Sequence, residues 1–379
     1  MPLKKLLCFQ NGINADSAKY GKGVKFISVS DILNNQYITY DCIKGMIDID
    51  KKTMERFLVE YGDILFQRSS ETFEDIGRAN VYLDKEHPAT FGGFVIRGKK
   101  ISEYNPMFFR YLLCTPNARK QTVRMGAGAQ HYNIGQDGLG KISLYFPTIQ
   151  EQQKIAGFLS AIDDRISVQN KIIEDLKVLK KELCNDHFKS VLHDASLKYI
   201  TLKEILTERK EYCSKDGTYT HGTLSKEGVA PKTERYDRDF LVKNEDKQYK
   251  VTHLNDICYN PANLKFGVIC RNTYGDLIFS PIYVTFKISD NVYPAYIELF
   301  LTNQNFIGRI RRYEQGTVYE RMAVSPEDFL SYETHMPTYE EQVKFANEMQ
   351  CIQRKIELET AFLSFLQRQR KYLLNAMFI

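Results

Sequence analysis

The stretch Phe146-Pro147-Thr148-Ile149-Gln150-Glu151-Gln152 returns 190 residues later as Met336-Pro337-Thr338-Tyr339-Glu340-Glu341-Gln342. In each copy a strand-like run ends at the proline, and the threonine stands where it can cap a helix. Glu151 and Glu341 follow their threonines by three positions, which is the spacing of a capping box. Both stretches therefore predict the start of a helix, and their recurrence indicates that the chain is internally duplicated.

The predicted helices carry the same apolar pattern. Apolar residues recur at alternating steps of four and three, the 3.5-residue period of a coiled-coil seam. Polar residues interrupt both copies at matching places, Gln169 and Lys180 in the first and Glu359 and Arg370 in the second. Two ordinary amphipathic helices in separate cores are the alternative, but matching narrow stripes favour an antiparallel pair related by a pseudo-twofold axis. The predicted helix seam consists of Ile155, Leu159, Ile162, Ile166, Ile173, Leu176 and Leu183, together with Phe345, Met349, Ile352, Ile356, Leu363, Leu366 and Leu373.

The duplication extends, more loosely, to the segments before the helices. Residues 62–66 match 255–259, and residues 108–113 match 296–301. The sequence therefore predicts an α+β protein with two mixed α/β domains, separated by two long helices that form an intramolecular antiparallel coiled coil. The predicted boundaries are 1–147 for the first domain, 148–189 for the first helix, 190–337 for the second domain and 338–379 for the second helix.

Within the two domains, β-rich runs bounded by turn residues predict the strands. The predicted strands are 24–32, 62–68, 92–97 and 139–146 in the first domain and 256–260, 267–271, 276–279 and 283–288 in the second. Helices are predicted at 106–122 and 295–303.

Composition limits the class of protein. The 379 residues suggest two or three domains, and 43% hydrophobic residues are enough to form ordered cores. A net charge of +5 is compatible with a polyanionic partner but is weak evidence alone. The eight cysteines form no CxxC pair, which argues against a zinc site or a dense disulfide framework. Because no apolar run is long enough for a signal peptide or a membrane span, we expect a soluble cytoplasmic protein.

Several strings resemble the specificity subunits of type I restriction–modification systems, across essentially the whole chain. The most specific is PTIQEQQKIA at 147–156, which opens a helix conserved in that family. The strings GVKFISVSDI at 23–32 and GDILFQR at 62–68 resemble the family in the first domain. YNP at 259–261 and SPIYV at 280–284 resemble target-domain strings in the second. Relatives commonly carry a short leading stretch, whereas this chain begins just before the opening segment of its first domain.

The resemblance implies two target-recognition domains, each reading one half of a split double-stranded DNA sequence, with the coiled coil setting the spacer. Pseudo-twofold symmetry suits half-sites about one DNA turn apart, roughly 34 Å. The resemblance also implies that two methyltransferase subunits dock on the helices and that restriction subunits join them for cleavage. We therefore expect a non-catalytic chain with no metal, no cofactor and no membrane partner, and we expect S-adenosylmethionine on the methyltransferase.

Two loops at equivalent places in the repeat carry clustered basic residues, at 117–132 and 309–321. Basic side chains contact phosphates, glycines let the backbone approach them, and an amide such as that of Gln130 can read adenine. The segments that follow the strands at 62–68 and 256–260 are a second matched pair. A solvated surface remains the alternative for any single basic residue. The predicted DNA-contacting residues are Arg68, Ser69, Ser70, Arg119, Lys120, Arg124, Gln130 and Tyr132 in the first domain, and Asn263, Lys265, Arg309, Arg311, Arg312, Thr317, Tyr319 and Arg321 in the second.

Signals for catalysis are weak. The tetrapeptide Asn260-Pro261-Ala262-Asn263 is close to the Asn-Pro-Pro-aromatic motif of amino-methyltransferases, but it lacks the second proline and the aromatic residue that would stack a flipped base. The sequence shows no Walker loop and no HExxH motif. A stand-alone nuclease or methyltransferase is the main rival function, and a scaffold that does not bind DNA is the third. Bound S-adenosylmethionine or metal-dependent cutting would favour the enzyme. The absence of salt-sensitive DNA affinity and of a bipartite preference would favour the scaffold.

Overall fold

The protein is described by a computed structural model that covers residues 1–128, 131–214, 218–226, 228–232, 248–315 and 322–378. The chain forms two compact units, one of Met1–Lys171 with Ala361–Ile379 and the other of Ile172–Thr360. Each unit therefore holds one globular domain and a part of each long helix. Among the described residues, no helix is both long enough and apolar enough to cross a membrane.

The first domain is built around an antiparallel sheet. Its strands are β1 (Leu7–Asn11), β2 (Tyr20–Ile27), β3 (Met46–Ile47), β4 (Ile64–Gln67), β5 (Ser69–Ser70), β6 (Ala79–Val81), β7 (Thr90–Phe91), β8 (Val95–Lys100) and β9 (Tyr132–Asn133). Its helices are α1 (Val29–Asn34), α2 (Lys51–Arg56), α3 (Pro106–Leu112), α4 (Pro116–Arg124) and α5 (Gln136–Lys141). Strands β1, β8, β4 and β6 form the sheet in that order, and Phe108, Phe109 and Leu139 from the helices pack with it into one core.

Three sequence predictions for this domain are wrong in detail. The strand predicted at 24–32 ends at Ile27, because the Asp31 carboxylate accepts hydrogen bonds from the Ser28 N–H (2.8 Å) and hydroxyl (2.7 Å) and so starts α1. The helix predicted at 106–122 is two helices, since Pro116 begins α4 behind the capping residue Thr115. The strand predicted at 139–146 begins instead within α5.

The first long helix, α6, spans Ile149–His193. The Glu151 half of the predicted capping box forms, since the Glu151 carboxylate accepts from the Thr148 N–H (3.1 Å) and hydroxyl (2.9 Å). The next residue, Gln152, is buried and reaches in both directions: its amide donates to the Pro147 carbonyl at 2.9 Å, and its oxygen accepts from the Asn105 N–H at 3.0 Å. The motif therefore caps α6 and also fixes it to the segment before α3.

The second domain repeats the plan of the first. Its strands are β10 (Lys198–Thr201), β11 (Leu206–Glu208), β12 (Tyr212–Cys213), β13 (Thr220–Ser225), β14 (Gly228–Pro231), β15 (Tyr249–Thr252), β16 (Ile257–Tyr259), β17 (Ile269–Arg271), β18 (Leu277–Phe279), β19 (Val284–Ile288) and β20 (Glu333–Met336). Its helices are α7 (Pro294–Thr302), α8 (Gln304–Ile310) and α9 (Pro326–Leu330). Strands β11, β19, β16 and β17 form an antiparallel sheet whose order corresponds to β1, β8, β4 and β6.

The second long helix, α10, spans Tyr339–Ala376 and begins with the same contacts as α6. Glu341 accepts from the Thr338 N–H (2.9 Å) and hydroxyl (2.8 Å), and these bonds lower the pKa of Glu341. Gln342 donates to the Pro337 carbonyl at 2.9 Å and accepts from the Tyr293 N–H at 2.9 Å. The recurrent motif thus fixes each long helix to its domain through identical atoms.

The two long helices pair antiparallel within each unit. In the first unit the guanidinium of Arg370 binds the carboxylate of Asp163, with Nη2 to Oδ2 at 3.2 Å. In the second unit Lys180 Nζ donates to Gln353 Oε1 at 2.8 Å. These two pairs occupy equivalent places in the repeat, 190 positions apart. The α+β class and the pairing of the long helices are therefore as predicted.

One predicted seam position differs from the structure. Leu183 is 38% exposed, whereas Cys184 and Phe188 are buried in the core of the second unit. An unstrained helix has 3.6 residues per turn, so positions that repeat every 3.5 residues drift slowly around its surface. Near the end of α6 this drift brings Cys184, instead of Leu183, to face the core. The other predicted seam residues are buried or half-buried.

Candidate nucleic-acid interface

Three segments of the first domain meet beyond the end of β4. The Arg68 N–H donates to the Phe94 carbonyl at 2.8 Å, and the Ile134 N–H donates to the Arg68 carbonyl at 3.0 Å. Ala127 and Asn133 exchange backbone hydrogen bonds of 2.9 and 2.8 Å, which close a hairpin, and β5 pairs with β9 at its base. We call this surface the first loop cluster, and it comprises residues 68–73, 92–94, 127–128 and 131–133.

The corresponding segments of the second domain meet beyond the end of β16. The Val324 N–H donates to the Pro261 carbonyl at 3.3 Å, as Ile134 does to Arg68. Gln315 and Ala323 exchange backbone hydrogen bonds of 2.9 and 3.0 Å. We use the word hairpin only for the segments that this bridge and the Ala127–Asn133 bridge bracket, of which residues 129–130 and 316–321 lie outside the described residues. The second loop cluster comprises residues 260–266, 280–283, 315 and 322–323. The hairpin bases lie 188 and 190 positions apart in the repeat, so the loops that the sequence matched are seated on the same strand end.

The first loop cluster brings together predicted contact residues from different parts of the sequence. Pairing of β5 with β9 sets Ser70 opposite Tyr132, and the Ser69 hydroxyl donates to the Asn133 side chain. The ring of Tyr132 meets that of Phe73 edge-on, with centroids 5.2 Å apart. The two candidate segments of the first domain therefore form one surface.

The hairpin requires a glycine at its first turn residue. Gly128 has a φ of +141°, and a Cβ there would lie 2.0 Å from the His131 carbonyl oxygen. Only glycine fits such a position without distortion. Gly128 is therefore required by the backbone geometry of the hairpin, independently of any DNA contact. The predicted contact residues Gln130, Thr317, Tyr319 and Arg321 lie outside the described residues.

The basic residues of the first domain differ in how far their side chains are exposed and already hydrogen-bonded within the domain. Arg119 donates from Nη2 to the carbonyls of Glu74 and Ile76, both at 2.7 Å, and burial lowers its pKa. It therefore holds the 71–76 loop from within the protein. Lys120 and Arg124 are exposed on α4, and the latter lies just before the hairpin. The Arg68 side chain is half-buried and donates to the Gly93 carbonyl at 3.3 Å.

The basic residues of the second domain also divide into two groups. Arg309 hydrogen-bonds Tyr332 and lines a cavity of about 230 Å³ with aromatic side chains such as Phe306. Arg311 and Arg312 are exposed just before the hairpin, and Arg311 Nε lies 3.6 Å from Glu314 Oε1. Arg312 is therefore the residue of this group with the most accessible charge.

The segment after β16 contains the string that resembled a methyltransferase motif. Asn260 is buried, and its side-chain oxygen accepts from the N–H groups of Ala262 (3.1 Å) and Asn263 (3.3 Å). It caps the 3-10 helix Pro261–Phe266, so its amide oxygen is already engaged. Asn263 itself is exposed on this helix, and Lys265 Nζ lies 5.3 Å from the ring of Phe266.

The structure also exposes matched apolar residues that sequence reasoning missed. Phe94, in the turn before β8, is 69% exposed, and Ile282, in the turn before β19, is 62% exposed. They lie 188 positions apart, the offset that also relates β8 to β19. That shared offset is the signal that would have identified them.

A charged cluster lies at the opposite end of β16. Asp256 binds Arg209 through two hydrogen bonds of 2.7 and 2.9 Å. His253 lies between Asp276 (2.8 Å) and Glu211 (3.1 Å); burial lowers its pKa, but hydrogen bonds to the two carboxylates outweigh this and raise it overall. This end of the sheet is held by ion pairs, and it lies at the other end of β16 from the second loop cluster.

Residues 7–178 match a family model described as the type I restriction modification DNA specificity domain. The chain is 22% identical to the type I restriction enzyme MjaX specificity subunit assigned in Methanocaldococcus jannaschii, over 99% of this chain and 91% of that protein. The type I restriction enzyme MjaVIII specificity subunit of the same organism is also 22% identical, over 46% of this chain and 42% of its own length.

Solved structures share the fold over 100% of this chain. The S subunit of a type I restriction–modification system from M. genitalium has a TM-score of 0.54 at 14% identity, with 95% of that chain covered. The HsdS subunit from Thermoanaerobacter tengcongensis gives 0.52 at 12%, also with 95% covered. A chain from a structural study of complex assembly and conformational transition of the type I R-M system gives 0.59 at 12%, with 96% covered. At these identities the likeness concerns the fold alone.

Proposed function

Because this chain belongs to the family of type I restriction–modification specificity subunits, we propose that it directs its partner enzymes to a split sequence in double-stranded DNA. Each globular domain reads one half of the site, and the long helices set the number of base pairs between the halves. Methylation and cleavage are carried out by the partner subunits, and S-adenosylmethionine binds the methyltransferase.

One observation carries the proposal for the DNA. In both domains a closed hairpin is seated by a backbone hydrogen bond on the segment that follows the central strand, through Arg68 in one and Pro261 in the other. Exposed cations stand just before each hairpin, at Arg124 and Arg312. Cations supply affinity for phosphates and polar loop residues can read base edges, so each cluster combines the two requirements for sequence-specific binding.

The outer faces of the long helices support docking of the methyltransferase subunits. Val168 in the first unit and Leu358 in the second are exposed at equivalent places in the repeat. Exposed apolar side chains grouped on one face of a helix, such as Phe365 with Tyr372 and Leu179 with Leu183, favour a protein–protein interface. The equivalent pair Val168 and Leu358 favours two methyltransferase copies, with restriction subunits joining them. Further exposed apolar residues on the long helices include Phe158, Ile172, Val178 and Tyr339.

The non-catalytic role is supported by the structure around Asn260. A methyltransferase would need this amide free to bind the amino group of a flipped base. Here its oxygen accepts two backbone hydrogen bonds and the side chain is buried. The string is therefore used to start a 3-10 helix.

Mapping of methylated bases tests the proposal. The chain is co-expressed with its methyltransferase subunit, and modified bases are sequenced across the genome. We expect two short half-sites with a fixed gap of unspecified sequence, and the pattern should vanish when this chain is omitted. A continuous motif, or methylation that persists without this chain, would refute the division of the target between the domains.

A further inference from the structure

Phe266 is exposed at the tip of the segment that follows β16. It ends the 3-10 helix Pro261–Phe266 and is 57% exposed. Side chains three positions apart eclipse one another on a 3-10 helix, so Asn263 and Phe266 share its outer side, while Leu264 is buried on the inner side. The helix therefore presents an amide and a phenyl ring together, at the second loop cluster.

Two lysines flank this ring. Lys265 Nζ lies 5.3 Å from the ring centroid. Lys226 Nζ, from the turn between β13 and β14, lies 6.0 Å from it. Two positive charges around an exposed apolar ring disfavour a purely apolar partner, and they suit a polyanion that also offers apolar groups. Duplex DNA has both features, since its phosphates flank grooves that expose base edges and thymine methyl groups.

We propose that Phe266 is a DNA-contacting residue of the second domain, its ring packing against base edges in a groove while Lys226 and Lys265 pair with phosphates on either side. The inference rests on the proposed function and extends it, because it assigns the contact to a residue that carries neither charge nor hydrogen-bonding groups. Asn263 beside the ring is then placed to bind the edge of a neighbouring base.

Binding measurements on the complex of the full chain with its methyltransferase subunits test this inference. The probe is a labelled duplex carrying the mapped site, titrated across a series of salt concentrations. Phe266→Ala is expected to weaken binding about 10-fold, within the range for loss of one base contact in a duplex, and to leave the salt dependence unchanged. Phe266→Tyr keeps the ring and should retain most of the affinity. Lys226→Gln with Lys265→Gln should lower the slope of log K against log salt by about 2.

Tyr274→Ala is the matched control. Tyr274 is 58% exposed, but it follows β17 at the opposite end of the sheet, so its removal should change binding less than about twofold. Binding by Phe266→Ala that equals binding by Tyr274→Ala would overturn the inference. So would a loss of methyltransferase assembly by Phe266→Ala in the absence of DNA, because the ring would then face a protein. If the unaltered complex showed no salt-dependent binding and no split motif, the proposed function itself would fail.

Discussion

The polar pair in the first unit gives the sharpest test of the helix pairing. Asp163 has a side chain only 8% exposed, and it accepts hydrogen bonds from Arg370 and from the Tyr111 hydroxyl at 2.9 Å. Arg370→Ala would leave a buried carboxylate without its counter-charge, which costs roughly 3–5 kcal/mol in buried pairs. Because the Arg370 side chain is 31% exposed and Tyr111 keeps its bond, we expect about 3 kcal/mol, at the lower end.

The equivalent pair in the second unit is the internal control. Lys180→Ala removes a bond to the neutral amide of Gln353, so the expected cost is about 1 kcal/mol. A chain with two units need not unfold in one step, so backbone hydrogen exchange in residues 149–193 and 339–376 is the appropriate assay. Local unfolding of the paired helices should become more frequent, and hydrogen exchange faster, in the first unit for Arg370→Ala. Lys180→Ala should have the same effect in the second unit, to a smaller extent. Equal costs for the two variants would refute the assignment of a buried ion pair.

Three further predictions concern the seam, pH and DNA. Leu366→Asp, at a buried position, should separate the helices and abolish subunit assembly measured by gel filtration, whereas the exposed Leu183→Asp should leave helix pairing, measured by hydrogen exchange, intact. Because the pKa of His253 is raised on folding, its contribution to stability is complete below its unfolded pKa of about 6.5 and is lost as pH rises through the folded value. His253→Gln should therefore reduce the fall in melting temperature as the pH rises. Lys120→Glu with Arg124→Glu should weaken binding at all sequences and lower the salt slope by about 2, and an unchanged slope would remove both from the interface.

The helix starts could be predicted from sequence because local chemistry determines them. A threonine followed three positions later by glutamate forms the same bonds in both copies, through Thr148 and Thr338. The glutamine that follows each glutamate, Gln152 or Gln342, forms bonds that local sequence cannot predict. Its partners, Asn105 and Tyr293, are distant in sequence, so no local pattern could show that it fixes the helix to its domain.

The sequence could locate two matched loop regions, but it could not show which of their residues are exposed. Matched positions in the repeat located both hairpins, because duplication preserves where a loop leaves the sheet. Charge alone could not separate Arg119, which binds backbone carbonyls inside the domain, from Arg124, which is exposed. The exposure of Phe94 and Phe266 could not be predicted, because an apolar residue in a sequence predicts a core position and only the folded chain shows it exposed.

The way in which each hairpin is attached to its domain affects how the sequences of the two halves can diverge. The bonds that hold them, from Ile134 to Arg68 and from Val324 to Pro261, join backbone atoms only. Such attachments place few demands on side-chain identity, so substitutions can accumulate in the loops while the frame beneath them stays the same. Under the proposed function, descendants of one duplicated gene can thereby acquire different DNA preferences in each half, and exchange of one half by recombination would create a new combination without a new fold.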